Sequence, residues 1–287
     1  MAKQLLSPRD LAQAIGVSES SIKRWADDGR IRVARTAGRH RRIPFAEAIR
    51  FVRETESVLI NPSALGLPST AGTVPLAADA LSSTEEIYDL LVRGDDEASR
   101  GFLMSLYLGG HSVAAIADGP LRETFQLIGE LWHEDGDQGI FVEHRATEIA
   151  LRALHEIGLM ISVPPDAPVA VGGAPAGDPY LLPTSTAAVV VAESGLRPVN
   201  LGGETPLPVL GEAAERLGSR LIWLSVTSPP DDRLLGRLDR VLERAVEIQA
   251  HVVVGGRSAS QLGVEERPNL HLATTMSGLA EHIQRFV

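Results

Sequence analysis

The chain has 287 residues, a length that accommodates two or three domains. Hydrophobic residues make up 44% of it, which is enough for packed cores. It contains no cysteine, and this excludes disulfides, thiolate zinc sites and cysteine nucleophiles. The sequence shows neither a basic start followed by an apolar run nor an apolar run of membrane-spanning length. We therefore expect a soluble, cytoplasmic protein with no membrane partner.

The net charge of −10 is unevenly distributed. Residues 1–54, which we call the head, carry 12 Lys and Arg against 6 Asp and Glu. The rest of the chain carries 15 basic and 31 acidic residues. A basic head on an acidic body predicts a polyanionic partner for the head alone.

The head begins with the pattern of two short helices joined by a turn. Ser7 can cap the first helix, and Pro8 suits its first position. Gly16 provides the turn, and Ser18 can cap a second helix that runs to Asp28. This is helix-turn-helix spacing, in which the second helix enters the major groove of DNA. Its outward-facing residues are predicted to be Ser20, Ser21, Lys23 and Arg24.

A basic hairpin follows the second helix. The segment 29–35 is predicted to be a strand, 36–38 a turn, and 39–44 the returning strand. Arginines at the tip of this wing suit DNA phosphates and the minor groove. A further helix is predicted over 45–54, so the head is interpreted as a winged helix-turn-helix domain at 1–54.

The head resembles the winged helix-turn-helix domains of the MerR family. Two motifs carry the resemblance: Ser-x-x-Asp-Leu-Ala from Ser7, and Ala-Gly-x-His-Arg in the wing from Ala37. The resemblance implies that double-stranded operator DNA is the partner. It places Ser20, Ser21, Lys23 and Arg24 in the groove, and Arg39, His40 and Arg41 on the flanking backbone.

Residues 55–82 are rich in Pro, Gly and Ser, and this composition predicts a flexible linker. From residue 83 the apolar spacing becomes helical. Four main helices with short connections predict a four-helix bundle over 83–163. The predicted helices start at Ser83 and then cover 95–108, 121–132 and 142–161.

The last part of the chain, 167–287, alternates strands with helices. Such alternation predicts a Rossmann-like, flavodoxin-like parallel sheet, and ligands bind such sheets at the carboxyl ends of the strands. The strands are predicted at 168–172, 198–201, 220–226, 251–254 and 269–272. The helices are predicted at 181–193, 207–217, 232–249 and 277–287. Small or hydroxyl residues occupy the predicted strand ends, namely Ser225, Thr227, Gly255 and Gly256.

The stretch from Leu131 to His144 contains the candidate ligand residues of the bundle. Trp132 offers a flat apolar face, and the neighbouring His133 offers an imidazole that can bind a metal. Glu143 and His144 follow a Gly-containing turn, at the start of the next predicted helix. A structural role in the bundle core is the simpler interpretation for a helical Trp, and both interpretations remain open.

The whole chain resembles the CarH/LitR class of cobalamin-dependent, light-responsive repressors. The resemblance implies that Trp132 caps the corrin or its adenosyl group, and that His133 is the ligand available to cobalt after photolysis. Glu143 and His144 would line the same face. The implied surroundings of the nucleotide tail are Ser225, Thr227, Gly255 and Gly256.

The chain departs from that class at two places. Ten residues, rather than nine, separate Trp132 from the Glu143–His144 pair. The family motif D-x-H-x-x-G, whose His binds cobalt from below, is replaced by the sequence from Asp178 to Pro183. Tyr180 stands at the His position, and a phenol with an ordinary pKa of about 10 is a poor cobalt ligand at neutral pH.

Three ligand states therefore stay open. In the first state, adenosylcobalamin binds either without a lower protein ligand or with His133 as the ligand to cobalt. Alternatively, haem or a bilin uses Trp132 and His133, with Tyr180 as a further contact. In the third state the pocket is empty and the module is a dimerisation scaffold.

The expected function is that of a DNA-binding transcriptional repressor and not of an enzyme. The cobalamin-type module would control oligomerisation, as a dimer or tetramer, and operator binding in response to light. One alternative is a ligand-independent regulator controlled by a protein antagonist. Another is a corrinoid carrier protein, against which the DNA-binding head argues.

Overall fold

The structure is a computed structural model that describes residues 5–35, 38, 40–72, 84–264 and 269–287. The side chains of residues 132–135 and 232–233 lie outside this description. The chain divides into two compact units, Met1–Ser162 and Val163–Val287. Head and helical bundle belong to the first unit, and the parallel sheet forms the second.

The head contains the predicted helices and wing strands in the predicted order, and it adds one strand before the first helix. Its helices are α1 (Pro8–Ile15), α2 (Glu19–Asp27) and α3 (Phe45–Glu54), and its strands are β1 (Leu5–Leu6), β2 (Ala34–Arg35) and β3 (Arg41–Pro44). The strands form an antiparallel sheet in the order β1-β3-β2. The first wing strand was predicted over 29–35, but β2 contains two residues only. The backbone N–H groups of Arg30 and Ile31 donate to the carbonyl oxygen of Trp25 in α2, so this part of the segment does not pair as a strand.

Local sequence explains where the head helices begin. Ser7 and Asp10 form a capping box, in which each side chain accepts a hydrogen bond from the backbone N–H of the other residue. Ser18 caps α2 by accepting from the backbone N–H of Ser21 at 3.1 Å. Gly16 ends α1 with a φ of 71°, a left-handed conformation that glycine adopts at little cost.

Residues 56–72, which we call the strap, differ from the predicted flexible linker. The strap contains a 3₁₀ turn at Pro62–Leu65, and its Leu59 and Leu65 are buried. The backbone N–H groups of Ile60 and Asn61 both donate to the carbonyl oxygen of Ala14, in the last turn of α1. Buried leucines and backbone hydrogen bonds hold this part of the chain in place, so its high Pro and Gly content produces irregular but packed structure.

The far end of the strap is bound to the bundle. The N–H of Gly72 donates to the Ser105 hydroxyl at 2.6 Å, and that hydroxyl also lies 3.3 Å from the Thr70 carbonyl oxygen. Thr70 Oγ1 donates to the carbonyl oxygen of Glu97 at 3.2 Å. The strap therefore contacts α1 of the head at one end and the bundle at the other. Residues 73–82, the remainder of the predicted linker, lie outside the described residues.

The bundle contains the four predicted main helices and one short helix. They are α4 (Thr84–Arg93), α5 (Asp96–Leu108), α6 (Val113–Ile116), α7 (Arg122–Asp135) and α8 (Asp137–Met160). A π-helical turn at Ala117–Leu121 joins α6 to α7, and it contains Pro120. Helix α8 begins five residues earlier than predicted, so Glu143 and His144 lie in its second turn. In the described part of the chain, no helix has the length and apolar character to cross a membrane.

The second unit is a five-stranded parallel sheet with helices on both faces. Its strands are β4 (Val169–Gly173), β5 (Arg197–Asn200), β6 (Leu221–Ser225), β7 (His251–Gly255) and β8 (Leu270–Ala273). Its helices are α9 (Leu181–Glu193), α10 (Leu207–Arg216), α11 (Asp232–Glu247) and α12 (Met276–Ile283). The spatial order is β5-β4-β6-β7-β8, which is the flavodoxin-like order and agrees with the predicted fold class.

The two faces of this sheet have different compositions. Ile222, Leu224 and Val254 belong to a large apolar core shared with α10 and α11. Side chains at alternate positions point to the opposite face, where Trp223 contacts α9. That second face includes buried polar side chains, for example Thr184 of α9.

Candidate functional site

The exposed face of α2 carries the predicted DNA contacts. Ser20, Lys23 and Arg24 are exposed, and Ser21 is half-buried. On the other side of the helix Ile22 is fully buried, and this fixes which face points outward. The structure thus brings the four predicted α2 residues together on one surface.

Arg41 joins the wing to this helix. Its Nη2 atom donates to the Asp27 carboxylate at 2.6 Å, and its Nη1 atom lies 3.5 Å from the carbonyl oxygen of Lys23. Lys23 itself pairs with Glu19 one turn earlier, at 2.7 Å. Two predicted DNA-contacting residues are therefore already held by acidic neighbours, which orient them and which a phosphate would have to replace or share.

A groove of about 420 Å³ lies between α1, α2 and the wing. Its lining contains five basic side chains, one acidic side chain, a serine and a proline. These are Lys23, Arg35, His40, Arg41, Arg42, Glu19, Ser7 and Pro8. A concave, mainly basic surface beside an exposed polar helix is a suitable site for a phosphate backbone. Arg39, the remaining predicted wing contact, lies outside the described residues.

Glu47 is a structural residue of the head that sequence reasoning missed. Its carboxylate, 5% exposed, accepts the backbone N–H of Arg32 at 2.7 Å and the Arg32 Nε at 3.1 Å. Arg50 also donates to it, one turn along α3. Burial raises the pKa of Glu47, but the hydrogen bonds and charges of Arg50 and Arg32 outweigh burial and leave the pKa lowered. The available signal was a lone Glu on the apolar face of α3.

The bundle candidates lie on two helices that pack against each other. Trp132 and His133 belong to the last turn of α7, and their side chains lie outside the described residues. In α8, Glu143 is half-buried and His144 is exposed. The roles of these four residues therefore remain predictions. Among all described residues, no group of three or more His, Cys, Asp or Glu could hold a metal ion.

Phe141 and Arg145 form a further surface feature of α8. The Phe141 side chain is 53% exposed, and the Arg145 guanidinium lies 4.9 Å from the centre of its ring. Arg145 also donates to the carbonyl oxygen of Val92 at 2.6 Å, which ties α8 to the end of α4. Neither residue was among the predicted ones, although an aromatic residue four positions before an Arg on a helix is a readable pattern.

The predicted strand-end residues of the sheet do come together. Ser225 and Gly255 are paired in register at the ends of β6 and β7. The hydroxyl of Ser258 donates to the carbonyl oxygen of Thr227 at 2.8 Å. Ser225 is 5% exposed and Thr227 is 9% exposed, so both are buried. The Thr227 hydroxyl oxygen is buried without a hydrogen-bond partner among the described residues.

The two predicted glycines do not form an open cradle. A Cβ on Gly255 would lie 2.8 Å from the carbonyl oxygen of Ala273. A Cβ on Gly256 would clash with the carbonyl oxygen of Val226 and lie 2.7 Å from the backbone carbon and nitrogen of that residue, and the φ of Gly256 is +104°. These glycines therefore permit close approach of the chain to itself, and their missing side chains leave no space for a ligand.

The position of the expected lower ligand also fails to suit cobalt. Tyr180 immediately precedes α9, and its side chain is 43% exposed. Its phenol is a poor cobalt ligand at neutral pH. The residues present at this edge of the sheet therefore do not fit a cobalamin that is held by a lower protein ligand and an inserted tail.

Comparisons with known proteins agree with the two-part architecture. Residues 5–55 match the family model of the helix-turn-helix domain. The solved structure of the Methanosarcina barkeri monomethylamine corrinoid protein aligns with a TM-score of 0.52 at 14% identity, over 70% of this chain and 97% of that protein. A search among curated proteins gives no match.

Two further solved structures align less closely. A cobalamin-binding protein from Desulfitobacterium hafniense has a TM-score of 0.36 at 15% identity, over 74% of this chain and 100% of that one. The methanol:cobalamin methyltransferase complex of Methanosarcina barkeri has a TM-score of 0.34 at 12% identity, over 73% of this chain and 80% of that one.

The chain therefore combines a helix-turn-helix DNA-binding domain with a module that has the fold of a corrinoid protein. This is the combination that the resemblance to the CarH/LitR class implied. Fold likeness at 14% identity carries no ligand with it, because the residues that would hold the ligand have to be present as well.

Proposed function

We propose that this protein is a DNA-binding transcriptional regulator, acting as a repressor and not as an enzyme. The observation that carries the proposal is the basic groove between α2 and the wing, in a domain that matches the helix-turn-helix family model. In this proposal α2 enters the major groove of an operator duplex, and the wing arginines bind the flanking phosphates.

The body of the protein sets how many heads act together. A single small head makes few phosphate contacts and binds weakly. Two or more heads joined through their bodies bind adjacent half-sites much more tightly, because the second contact becomes intramolecular. We therefore propose that a dimer or tetramer formed through the body is the form that occupies the operator.

The experiment starts by selecting binding sites for the full-length protein from a random duplex pool, then measures affinity by fluorescence anisotropy across a salt series. The variant Arg24→Ala should weaken binding and lower the salt slope by about one for each phosphate that the arginine neutralises. Arg216→Ala is the control, because Arg216 is an exposed arginine of α10 that pairs with Glu212. Failure to enrich any sequence, or equal binding by both variants, would overturn the proposal.

The same assay tests regulation. Binding is measured with adenosylcobalamin in the dark and after green light, and again with haem. A change in affinity or oligomer size upon illumination supports a light-responsive repressor. Unchanged DNA binding in every state supports a ligand-independent regulator, and its activity would then be regulated by a protein antagonist.

A corrinoid carrier is the second candidate function, because the solved structure that aligns with a TM-score of 0.52 is a corrinoid protein. A carrier must retain corrin and needs no operator. Enrichment of a duplex sequence without corrin retention would exclude it.

A further inference from the structure

The place where this type of sheet binds ligands can be located from strand order alone. The chain passes from β4 outward to β5 and then returns to β6, on the other side of β4. In open α/β sheets, ligands bind beyond the carboxyl ends of the strands at this point of reversal. The crevice of this module therefore lies between the ends of β4 and β6.

A side chain of the protein closes the mouth of that crevice. Asp178, in the loop after β4, is 1% exposed. Its Oδ2 atom accepts hydrogen bonds from the backbone N–H groups of Thr227, at a short distance, and of Ser228, at 3.0 Å, both in the loop after β6. Successive backbone N–H groups after a strand are the donors that an anionic ligand group would use. Here an internal carboxylate already occupies them.

The space beneath the mouth is filled by Trp223. The indole, 2% exposed, lies directly over Gly172, its partner in register on β4, where any Cβ would fall inside the ring. Its Nε1–H donates to Thr184 Oγ1 of α9 at 3.1 Å. Thr184 in turn donates to the Asn200 side chain at 3.0 Å. The polar atom of this large side chain is thereby satisfied inside the sheet–helix interface.

We propose that the chain itself closes this crevice, with Asp178 at the mouth and Trp223 beneath it. The module then takes no ligand that inserts a nucleotide tail between the sheet and α9, and cobalamin in its tail-inserted form is such a ligand. The regulatory body works in the packed state that the structure shows, and any flat ligand is confined to the bundle. This inference does not depend on DNA binding, so each can fail without the other.

The test follows the indole N–H of Trp223 by NMR in full-length protein labelled with ¹⁵N-tryptophan. The chain has three tryptophans, and Trp223→Phe identifies the signal. We expect slow hydrogen exchange, and no change in position or exchange rate after addition of adenosylcobalamin or hydroxocobalamin. Thr184→Val removes the acceptor and retains the side-chain shape, so exchange of this signal should speed up roughly five- to tenfold.

Visible absorption after desalting reports corrin retention in the same samples. An absence of retained corrin supports the proposal. Retained corrin with an unchanged, protected Trp223 signal also supports it, because the corrin then lies outside the crevice. Retained corrin that shifts or deprotects the Trp223 signal would overturn it. So would fast exchange of that signal in the ligand-free protein, since this would show an open crevice.

Discussion

The contact between the strap and α5 predicts an unusual result for a Gly→Ala substitution. Gly101 is buried in α5, where a Cβ would lie 2.7 Å from Thr70 Cβ and 3.1 Å from the Thr70 backbone carbon. Rotation of the Thr70 side chain cannot relieve the backbone contact, so the strap has to move. Gly101→Ala should therefore displace the strap, although alanine is normally favoured over glycine within a helix.

The magnitude follows from the bonds that the strap makes there. Three hydrogen bonds link Ser69, Thr70 and Gly72 of the strap to Glu97 and Ser105 of α5, and each contributes about 1 kcal/mol net. The gain in helix propensity offsets about 1 kcal/mol of this loss. We expect a net cost of about 2 kcal/mol for closing the strap onto the bundle, a sum of these estimates.

Limited proteolysis of full-length protein with thermolysin measures that cost. The enzyme cuts before leucine, and Leu65 and Leu67 are buried until the strap opens. Gly101→Ala should raise the rate of cleavage in the strap roughly 30-fold, since 1.4 kcal/mol corresponds to a factor of ten. Gly129→Ala is the matched control, because Gly129 lies in α7 with nothing within 4 Å of the added Cβ. Equal cleavage of both variants would refute the packing of the strap.

Three further predictions concern stability. Glu47→Gln should cost about 1 kcal/mol, because charge-assisted hydrogen bonds to partly exposed arginines weaken. The lowered pKa of Glu47 means that its contribution is present above the ordinary value of 4.5 and is lost as pH falls through the lower folded-state value. Urea midpoints of wild type and Glu47→Gln should therefore converge in acid, and a constant difference down to acid pH would contradict this. Burial and, to a lesser extent, the charge of Arg220 lower the pKa of His251 in the folded protein. As pH falls, the imidazole is therefore protonated in the unfolded chain before it is protonated in the folded chain. Stability should then fall as pH drops through 6.5 toward the folded-state value, and His251→Gln should reduce that fall in thermal melts; an unaltered pH profile would argue against it. Ser7→Ala should cost about 1 kcal/mol through loss of the α1 cap, and hydrogen exchange in α1 would show it; unchanged protection there would rule out a stabilising cap.

Local sequence signals predicted the regular elements well. Capping side chains mark the starts of several helices, for example Ser18 before α2, Asp95 before α5 and Thr275 before α12. Strand and helix alternation predicted the parallel sheet, because each crossover has to cover one face of it. These features depend on short-range chemistry, and a single sequence contains that information.

The strap shows where composition misleads. Pro and Gly exclude long helices and central strands, and they say nothing about mobility. Leu59, Leu65 and Leu67 were the signal for packing, because three leucines in nine residues are expensive to leave in water. Their partners lie in α1 and in the bundle, and a local pattern does not identify such distant contacts.

The sequence predicted where the candidate ligand site lies, but it did not predict that protein side chains fill it. Strand ends at Ser225 and Gly255 lie together as expected. The residues that fill the crevice were missed, because Trp223 reads as one more apolar residue of a buried strand. Its packing over Gly172 depends on the register between β6 and β4, which a pattern of residues along one strand does not determine.

The double attachment of the strap has a consequence for engineering. Ile60 of the strap lies against Gly16 at the end of α1, where a Cβ would come within 2.6 Å of the isoleucine side chain. The DNA-binding domain thus carries a surface shaped by chain that follows it. A fusion that keeps only the first 54 residues would expose that surface to solvent. It would also remove the backbone N–H groups of Ile60 and Asn61, which donate to the carbonyl oxygen of Ala14. A transferable cassette should extend to residue 72 and include a host helix with glycine and serine at the positions of Gly101 and Ser105.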